Sequence, residues 1–278
     1  MTLSINRILF PTDFSETSQK ALPYALEIAL RKNATLIMVH TVEEPYEFAP
    51  MLEEFKKNVS RKIEKLLQDQ QEKILNDSRY EDLEIDTRIL YGRVATAILD
   101  EAVEVEADLI VMGTTGASGL QRVLFGSKTT EVILQSKAPV LAVPESTEFN
   151  DIEHITFLTD YSDGDLKALE DTADLAELFS AEITVLHIAE DHNLQEEIMH
   201  RGFREIASSQ IKHDSINFEL MDNESFEAGV SEFLDLKPTS LLTMVRYRKP
   251  FFSNLFSKDH SKELGFYTRV PLLVLIGK

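Results

Sequence analysis

Short apolar runs alternate along the chain with longer segments in which apolar residues recur every three or four positions. The short runs have the length of buried strands, and the longer segments have the spacing of amphipathic helices. In the first half, strands are predicted at residues 8–10, 35–39, 83–90, 109–112 and 139–144, with a long helix over residues 51–75. Strict alternation of strand and helix is typical of an α/β protein with a parallel sheet.

The same pattern begins again after residue 150. When residues 8–40 are laid over residues 155–187, eleven of the 33 aligned positions are identical, including the histidines His40 and His187. So many matches without a gap indicate an internal duplication. We therefore predict two domains, 1–146 and 151–278, joined by a polar segment after Pro144.

Composition narrows the class of protein. The net charge is −20 and the sequence pI is about 4.7, so we expect no nucleic-acid or anionic-membrane partner, because phosphates would be repelled. Cysteine is absent, which excludes disulfides and cysteine-based metal sites or nucleophiles. The chain lacks an apolar run of about 18 residues and begins without a signal-peptide core. We expect a cytoplasmic protein.

A glycine-punctuated stretch follows the fourth predicted strand. Its glycines fall at Gly113, Gly116, Gly119 and Gly126, and Ser127 is predicted to cap a helix that runs to about Ser136. Glycines let the backbone approach a ligand closely, and a helix N-terminus offers free N–H groups to an anion. Phosphate is the obvious anion, although a glycine-rich surface loop is the alternative. The spacing matches neither a P-loop nor G-x-G-x-x-G.

The spacing Gly113-x2-Gly116-x9-Gly126-Ser127 resembles the nucleotide-binding pattern G-x2-G-x9-G-[S/T] of the universal stress protein family. The segments 8–15, 39–40 and 138–141 support this resemblance, and the chain as a whole resembles two such domains in tandem. The resemblance implies a Rossmann-like fold of the adenine nucleotide alpha hydrolase type, with two doubly wound parallel five-stranded sheets of order 3-2-1-4-5. It also implies domain pairing through the fifth strands, an intramolecular pseudo-dimer, and leaves a homodimer open.

The resemblance also implies a binding site for ATP, ADP or AMP, with or without Mg²⁺. Strand order would reverse between strands one and four, and ligands bind at such switch points. By resemblance, adenine and ribose would be held by Pro11, Thr12, Asp13 and the segment around Thr41. The phosphate path would be lined by Met112, Gly113, Gly116, Gly126, Ser127, Lys128 and Thr129.

Asp13 and Lys128 each have a second interpretation. Asp13 could cap a helix, and Lys128 could be a solvated lysine rather than a partner for a γ-phosphate. His40 and His187 end equivalent strands, and we expect them to be packed structural residues. No zinc site is expected from the remaining histidines, because neither cysteines nor i,i+4 spacing accompanies them.

The second copy diverges where the first has its glycines. Val245 stands in place of Gly113, and Lys258-Asp259 stands near the position of Gly126-Ser127. Side chains would therefore fill the space that a phosphate needs. We predict that the second domain has lost this mode of nucleotide binding.

Three functions remain open. The first is a regulatory protein of the stress response that binds a nucleotide in domain one and an unknown protein partner. The second is an enzyme with slow ATP hydrolysis or self-phosphorylation, with Mg²⁺ on the phosphates and Ser127, Thr129 or Thr130 as acceptor. No general base is recognisable for it. The third is an interaction module whose loop 246–256 binds a non-nucleotide ligand.

Overall fold

The described residues form two compact units. The computed structural model describes residues 4–43, 52–114, 126–191, 193–247 and 270–277, with the backbone alone over residues 52–57. The first unit holds the described residues up to 145, and the second unit holds those from 146 onward.

The first unit alternates strand and helix, as the sequence predicts. Its elements are β1 (Arg7–Pro11), α1 (Glu16–Lys32), β2 (Thr35–Val42), α2 (Leu52–Leu75), β3 (Ile85–Tyr91), α3 (Val94–Glu104), β4 (Leu109–Thr114), α4 (Ser127–Gln135) and β5 (Val140–Pro144). Its strands lie in the order β3-β2-β1-β4-β5 and every pair is parallel. The predicted fold class and strand order are confirmed.

The second unit repeats this order. Its elements are β6 (His154–Leu158), α5 (Asp165–Phe179), β7 (Glu182–Ala189), α6 (Leu194–Gln210), β8 (Ile216–Asp222), α7 (Phe226–Leu236), β9 (Leu241–Arg246) and β10 (Leu272–Ile276). The strands lie in the order β10-β9-β6-β7-β8, again with parallel pairs. Counted from its own first strand, this is also 3-2-1-4-5.

Local sequence explains how α1 is held against the sheet of the first unit. Ser15 caps the helix by accepting a hydrogen bond from the Ser18 N–H, and Asn33 ends it in the left-handed conformation. Its apolar face, which includes Ala21, Ala25 and Ala29, is fully buried. Small alanine side chains let the helix lie close to β4, and this proximity positions the site.

Candidate functional site

A cleft of about 360 Å³ opens at the carboxyl ends of β1, β2 and β4 in the first unit. In the sheet, β1 and β4 are neighbours. The strand that follows β1 in sequence, β2, lies on one side of this pair, and the strand that follows β4, β5, lies on the other side. The chain therefore leaves β1 and β4 in opposite directions, and a crevice remains between the two connections. In open α/β sheets, ligands bind at this kind of reversal.

Most of the site residues predicted from the sequence meet in this cleft. Its lining includes Pro11, Thr12, Asp13, Thr41, Met112, Gly113, Lys128 and Thr129. Gly126 and Ser127 immediately precede Lys128 at the start of α4 but do not belong to the lining. Gly116 lies outside the described residues. The cleft thus brings together the predicted nucleoside side with Met112, Gly113, Lys128 and Thr129 of the predicted phosphate side.

The loop after β1 is held by its own side chains. The Thr12 hydroxyl donates to Ser18 Oγ at 3.1 Å and accepts from the Phe14 N–H at 3.0 Å. Phe14 has a φ of 62°, a conformation uncommon for a residue with a side chain. The Asp13 carboxylate accepts the Ser15 N–H at 3.0 Å. These bonds fix the backbone that forms one wall of the cleft.

Asp13 is a charged group of this wall and not the cap of α1. Burial disfavours its charged form, but hydrogen bonds from the Ser15 hydroxyl and N–H and from Ser18 outweigh burial, and the pKa of Asp13 falls below its ordinary value. Asp13 is therefore ionised at neutral pH and can accept hydrogen bonds from an amino or hydroxyl group of a ligand.

Gly113 permits the close approach of β4 to α1. A Cβ atom at this position would lie 2.6 Å from the carbonyl oxygen of Thr17 and 2.9 Å from its Cγ2. Because the nearest obstructing atoms belong to backbone, no side-chain rotation would relieve the clash. The glycine is required for this packing, independently of any ligand.

The start of α4 corrects one prediction. Gly126, and not Ser127, is the N-cap residue, and it provides no side-chain cap. The helix begins one residue earlier than predicted because the Gly126 carbonyl already accepts the Thr130 N–H at 2.9 Å. The N–H groups of the first turn therefore lack partners within the helix, as an anion site requires. Thr129 is buried and donates to the Gly113 carbonyl at 3.2 Å.

One ion pair joins two charged residues of the cleft lining. Lys128 Nζ lies 3.2 Å from Glu43 Oε1, and the two side chains are 54% and 63% exposed. Pairs this exposed contribute little to stability. A phosphate group could therefore replace Glu43 as the partner of Lys128 at a small cost in free energy.

His40 belongs to the cleft, although the sequence predicted a structural role for it. Its Nδ1 lies 2.8 Å from the carbonyl oxygen of Thr12, and its ring stacks on Phe14 with centroids 5.2 Å apart. It also lines the cleft. Its position at the end of a strand beside the switch point was the signal that could have identified it as a cleft residue.

In the second unit, described side chains of α6 reach into the corresponding crevice. His187 Nε2 contacts Glu196 Oε2 at 3.0 Å, and the Tyr161 hydroxyl lies 2.9 Å from His200 Nδ1. Both partners come from α6. The Tyr161 ring also packs against Phe203.

A buried carboxylate closes the same crevice from the other side. Asp165 accepts hydrogen bonds from the hydroxyls of Thr159, at 2.6 Å, and Tyr247. The Tyr247 ring lies in a slot between Gly164 and Gly277, where added Cβ atoms would lie 2.8 and 2.3 Å from it. Burial raises the pKa of Asp165 to about 6, although both hydroxyl bonds oppose the rise.

The part of the chain that the structure describes holds neither a metal-binding cluster nor a membrane-spanning helix. No group of three or more His, Asp or Glu side chains there is arranged to hold a metal ion. None of the helices described is long and apolar enough to cross a membrane.

Comparisons with known proteins agree on a family. The sequence profile of the universal stress protein family matches residues 4–144. Universal stress protein MJ0531 of Methanocaldococcus jannaschii is 34% identical over 138 residues, which cover 49% of this chain and 81% of that protein. Universal stress protein MJ0577 of the same organism is 29% identical over 157 residues, which cover 51% and 97%.

A solved structure extends the likeness of fold to the whole chain. A universal stress protein from Archaeoglobus fulgidus superposes with a TM-score of 0.75 over 98% of both chains, at 17% identity. At that identity the likeness concerns the fold alone. The family profile and the relatives, together with the strand order and the glycine spacing, establish that the chain belongs to the universal stress protein family.

Proposed function

We propose that the first unit binds an adenine nucleotide, ATP, ADP or AMP, in the cleft beside β1 and β4, and that the chain acts as a nucleotide-dependent regulatory protein of the stress response. The observation that carries this proposal is the convergence in one cleft of the loop after β1, the end of β2, Gly113 and the first turn of α4. These elements are distant in sequence and meet at the strand-order reversal.

The chemistry of the cleft lining supports a nucleotide. On one side, Asp13 and the end of β2 provide acceptors and apolar surface for a base and a ribose. On the other side, Lys128 and the first-turn N–H groups of α4, which lack partners within the helix, favour negative charge. In an acidic chain of net charge −20, such local groups must provide the attraction for phosphate.

We further propose that residues 1–146 form a universal stress protein domain with an intact motif and that residues 151–278 form one whose motif has degenerated. Support comes from the crevice of the second unit, where Glu196 and His200 of α6 and the Asp165–Tyr247 pair occupy the space. The fifth-strand pseudo-dimer, the homodimer, the protein partner and the cytoplasmic location stay predictions.

The two other functions receive less support. For self-phosphorylation, Thr129 is a poor acceptor, because its side chain is buried and its hydroxyl donates to Gly113. For an interaction module, residues 248–256 of the predicted loop lie outside the described residues.

Calorimetric titration with ATP and Mg²⁺ tests the proposed function. The wild-type chain should bind ATP, and the Gly126→Val variant should not, because a branched side chain would stand beside the anion-binding N–H groups. Gly126 has φ −58° and ψ 149°, which valine adopts readily, so the variant should keep its thermal unfolding midpoint. Binding that is absent in the wild type, or equal in both proteins, would refute the proposal.

A further inference from the structure

Two contacts fix the ring of His40. The carbonyl oxygen of Thr12, 2.8 Å from Nδ1, can only accept a hydrogen bond, so Nδ1 must carry the proton. Phe14 stacks on the ring at an interplanar angle of 22° and limits its rotation. The remaining nitrogen, Nε2, is then a hydrogen-bond acceptor in the neutral ring.

The equivalent histidine of the second unit indicates the direction in which His40 Nε2 points. There the equivalent ring, His187, has Nδ1 2.7 Å from the Thr159 carbonyl and stacks on Tyr161 with centroids 4.2 Å apart. Its Nε2 reaches Glu196, a side chain that lies in the crevice. In the first unit, no described residue bonds His40 Nε2, and the residue lines the open cleft. The same ring position therefore leaves an acceptor facing the cleft.

We propose that His40 is a ligand-binding residue that determines specificity, with Nε2 accepting a hydrogen bond from the nucleoside half of the nucleotide. This inference rests on the proposed function. His40 is hydrogen-bonded to Thr12 and adjoins Thr41, and both residues belong to the predicted nucleoside side. A phosphate oxygen is an acceptor and would not pair with an unprotonated nitrogen. The partner is an N–H or O–H donor, either the adenine amino group or a ribose hydroxyl.

The His40→Asn variant separates the contributions of the two ring nitrogens. The asparagine amide can stand where Nδ1 stands and donate to Thr12, but nothing replaces Nε2. At pH 7.5 we expect ATP affinity to fall about 2- to 12-fold, the range of one net hydrogen bond. The matched control is His187→Asn in the second unit, which should leave ATP affinity unchanged.

Nucleotide analogues identify the donor. ITP lacks the amino group, 2′-deoxyATP and 3′-deoxyATP each lack one hydroxyl, and the analogue without the true partner should bind wild type and His40→Asn equally. Equal ATP affinity in wild type and His40→Asn would overturn this inference alone. A loss of the same size for ATP and all three analogues would also overturn it, because none of these donors would then be the partner. A wild-type chain that binds no nucleotide would overturn the proposed function and this inference together.

Discussion

The two units have the same loop at the same end of their sheets but leave different amounts of space above it. Phe14 and Tyr161 occupy equivalent positions with φ of 62° and 60°, and both stack on a histidine that bonds the loop carbonyl. Above this common base the first unit has an open cleft, whereas the second has side chains of α6 and Tyr247. A similar loop backbone therefore does not by itself keep a cleft open, because the side chains around it decide whether space remains.

The two units also place their glycines differently. In the first, Gly113 on β4 makes room for Thr17 at the start of α1. In the second, Gly164, which aligns with Thr17, makes room for Tyr247 beyond the end of β9. The first unit thus has its glycine on the strand, at Gly113, and the second unit has it at the start of the helix, at Gly164. The space beside Gly164 holds the ring of Tyr247. Side chains therefore occupy at least the described part of the second crevice.

The largest effect is expected from Gly113→Val. The new side chain would meet the backbone of Thr17, so we expect the first unit to lose about 3 kcal/mol of unfolding free energy, the upper end of overpacking costs. ATP binding should be lost as well. Urea unfolding and calorimetry measure the two effects. Gly202→Ala is the control, because an added Cβ there meets no atom within 4 Å and should stabilise α6 slightly. A Gly113→Val chain as stable as the wild type would contradict the packing account.

A pH-dependent effect is expected at Asp165. Its pKa is about 6 in the folded chain and near 3.8 when unfolded, so the folded chain binds this proton more tightly. The unfolding free energy should therefore fall as the pH rises from 4 to 7.5, by about 2 kcal/mol for this group. Asp165→Asn removes the titration, so the stability difference between variant and wild type should shift in favour of the variant over that range. A difference independent of pH in urea unfolding would refute the assignment.

A smaller effect is expected from Tyr247→Phe. The ring keeps its slot between Gly164 and Gly277, and only the hydroxyl that donates to Asp165 is removed. We expect the second unit to lose about 1.5 kcal/mol at pH 7.5, as for a hydrogen bond to a charged group. Combining the change with Asp165→Asn should reduce this cost. An equal cost in both backgrounds would mean that the hydroxyl does not act through Asp165.

The smallest effect on stability is expected from Lys128→Met. Its ion pair with Glu43 is exposed, so the unfolding free energy should change by less than about 0.5 kcal/mol. ATP affinity should nevertheless fall about 3- to 10-fold at low ionic strength, and less at high salt, because a cation that can reach the phosphates is lost. Titration at two salt concentrations measures this. An unchanged affinity at low salt would mean that Lys128 does not contact phosphate.

The sequence predicted most of the fold because its patterns are local. Short apolar runs located the strands, and helical spacing over residues 51–75 located α2. The strand ends were predicted less accurately. The fourth strand was predicted to end at residue 112, but β4 continues through Gly113 to Thr114, which pair with Val143 and Pro144 of β5. Backbone pairing extended the strand past its last large apolar residue.

The site was predicted in part, and what was missed depends on contacts between distant segments. The substitution of Val245 for Gly113 predicted a degenerate second site, and this stays a prediction. Sequence could not indicate that Tyr247 would lie between Gly164 and Gly277, residues separated by more than a hundred positions. It also could not reveal the open side of His40, because both histidines lie near the ends of equivalent strands, and the contact of His187 with Glu196 of α6 is a tertiary feature.

Hydrogen–deuterium exchange with and without ATP tests the central contrast most directly, because it reports both units of the intact chain in one measurement. The account predicts that ATP slows exchange at residues 11–18, 39–43 and 126–132 and leaves residues 158–166, 187–200 and 241–247 unchanged. Slowed exchange around Asp165 and Tyr247 together with the first unit would contradict it, because the second crevice would then also be binding nucleotide.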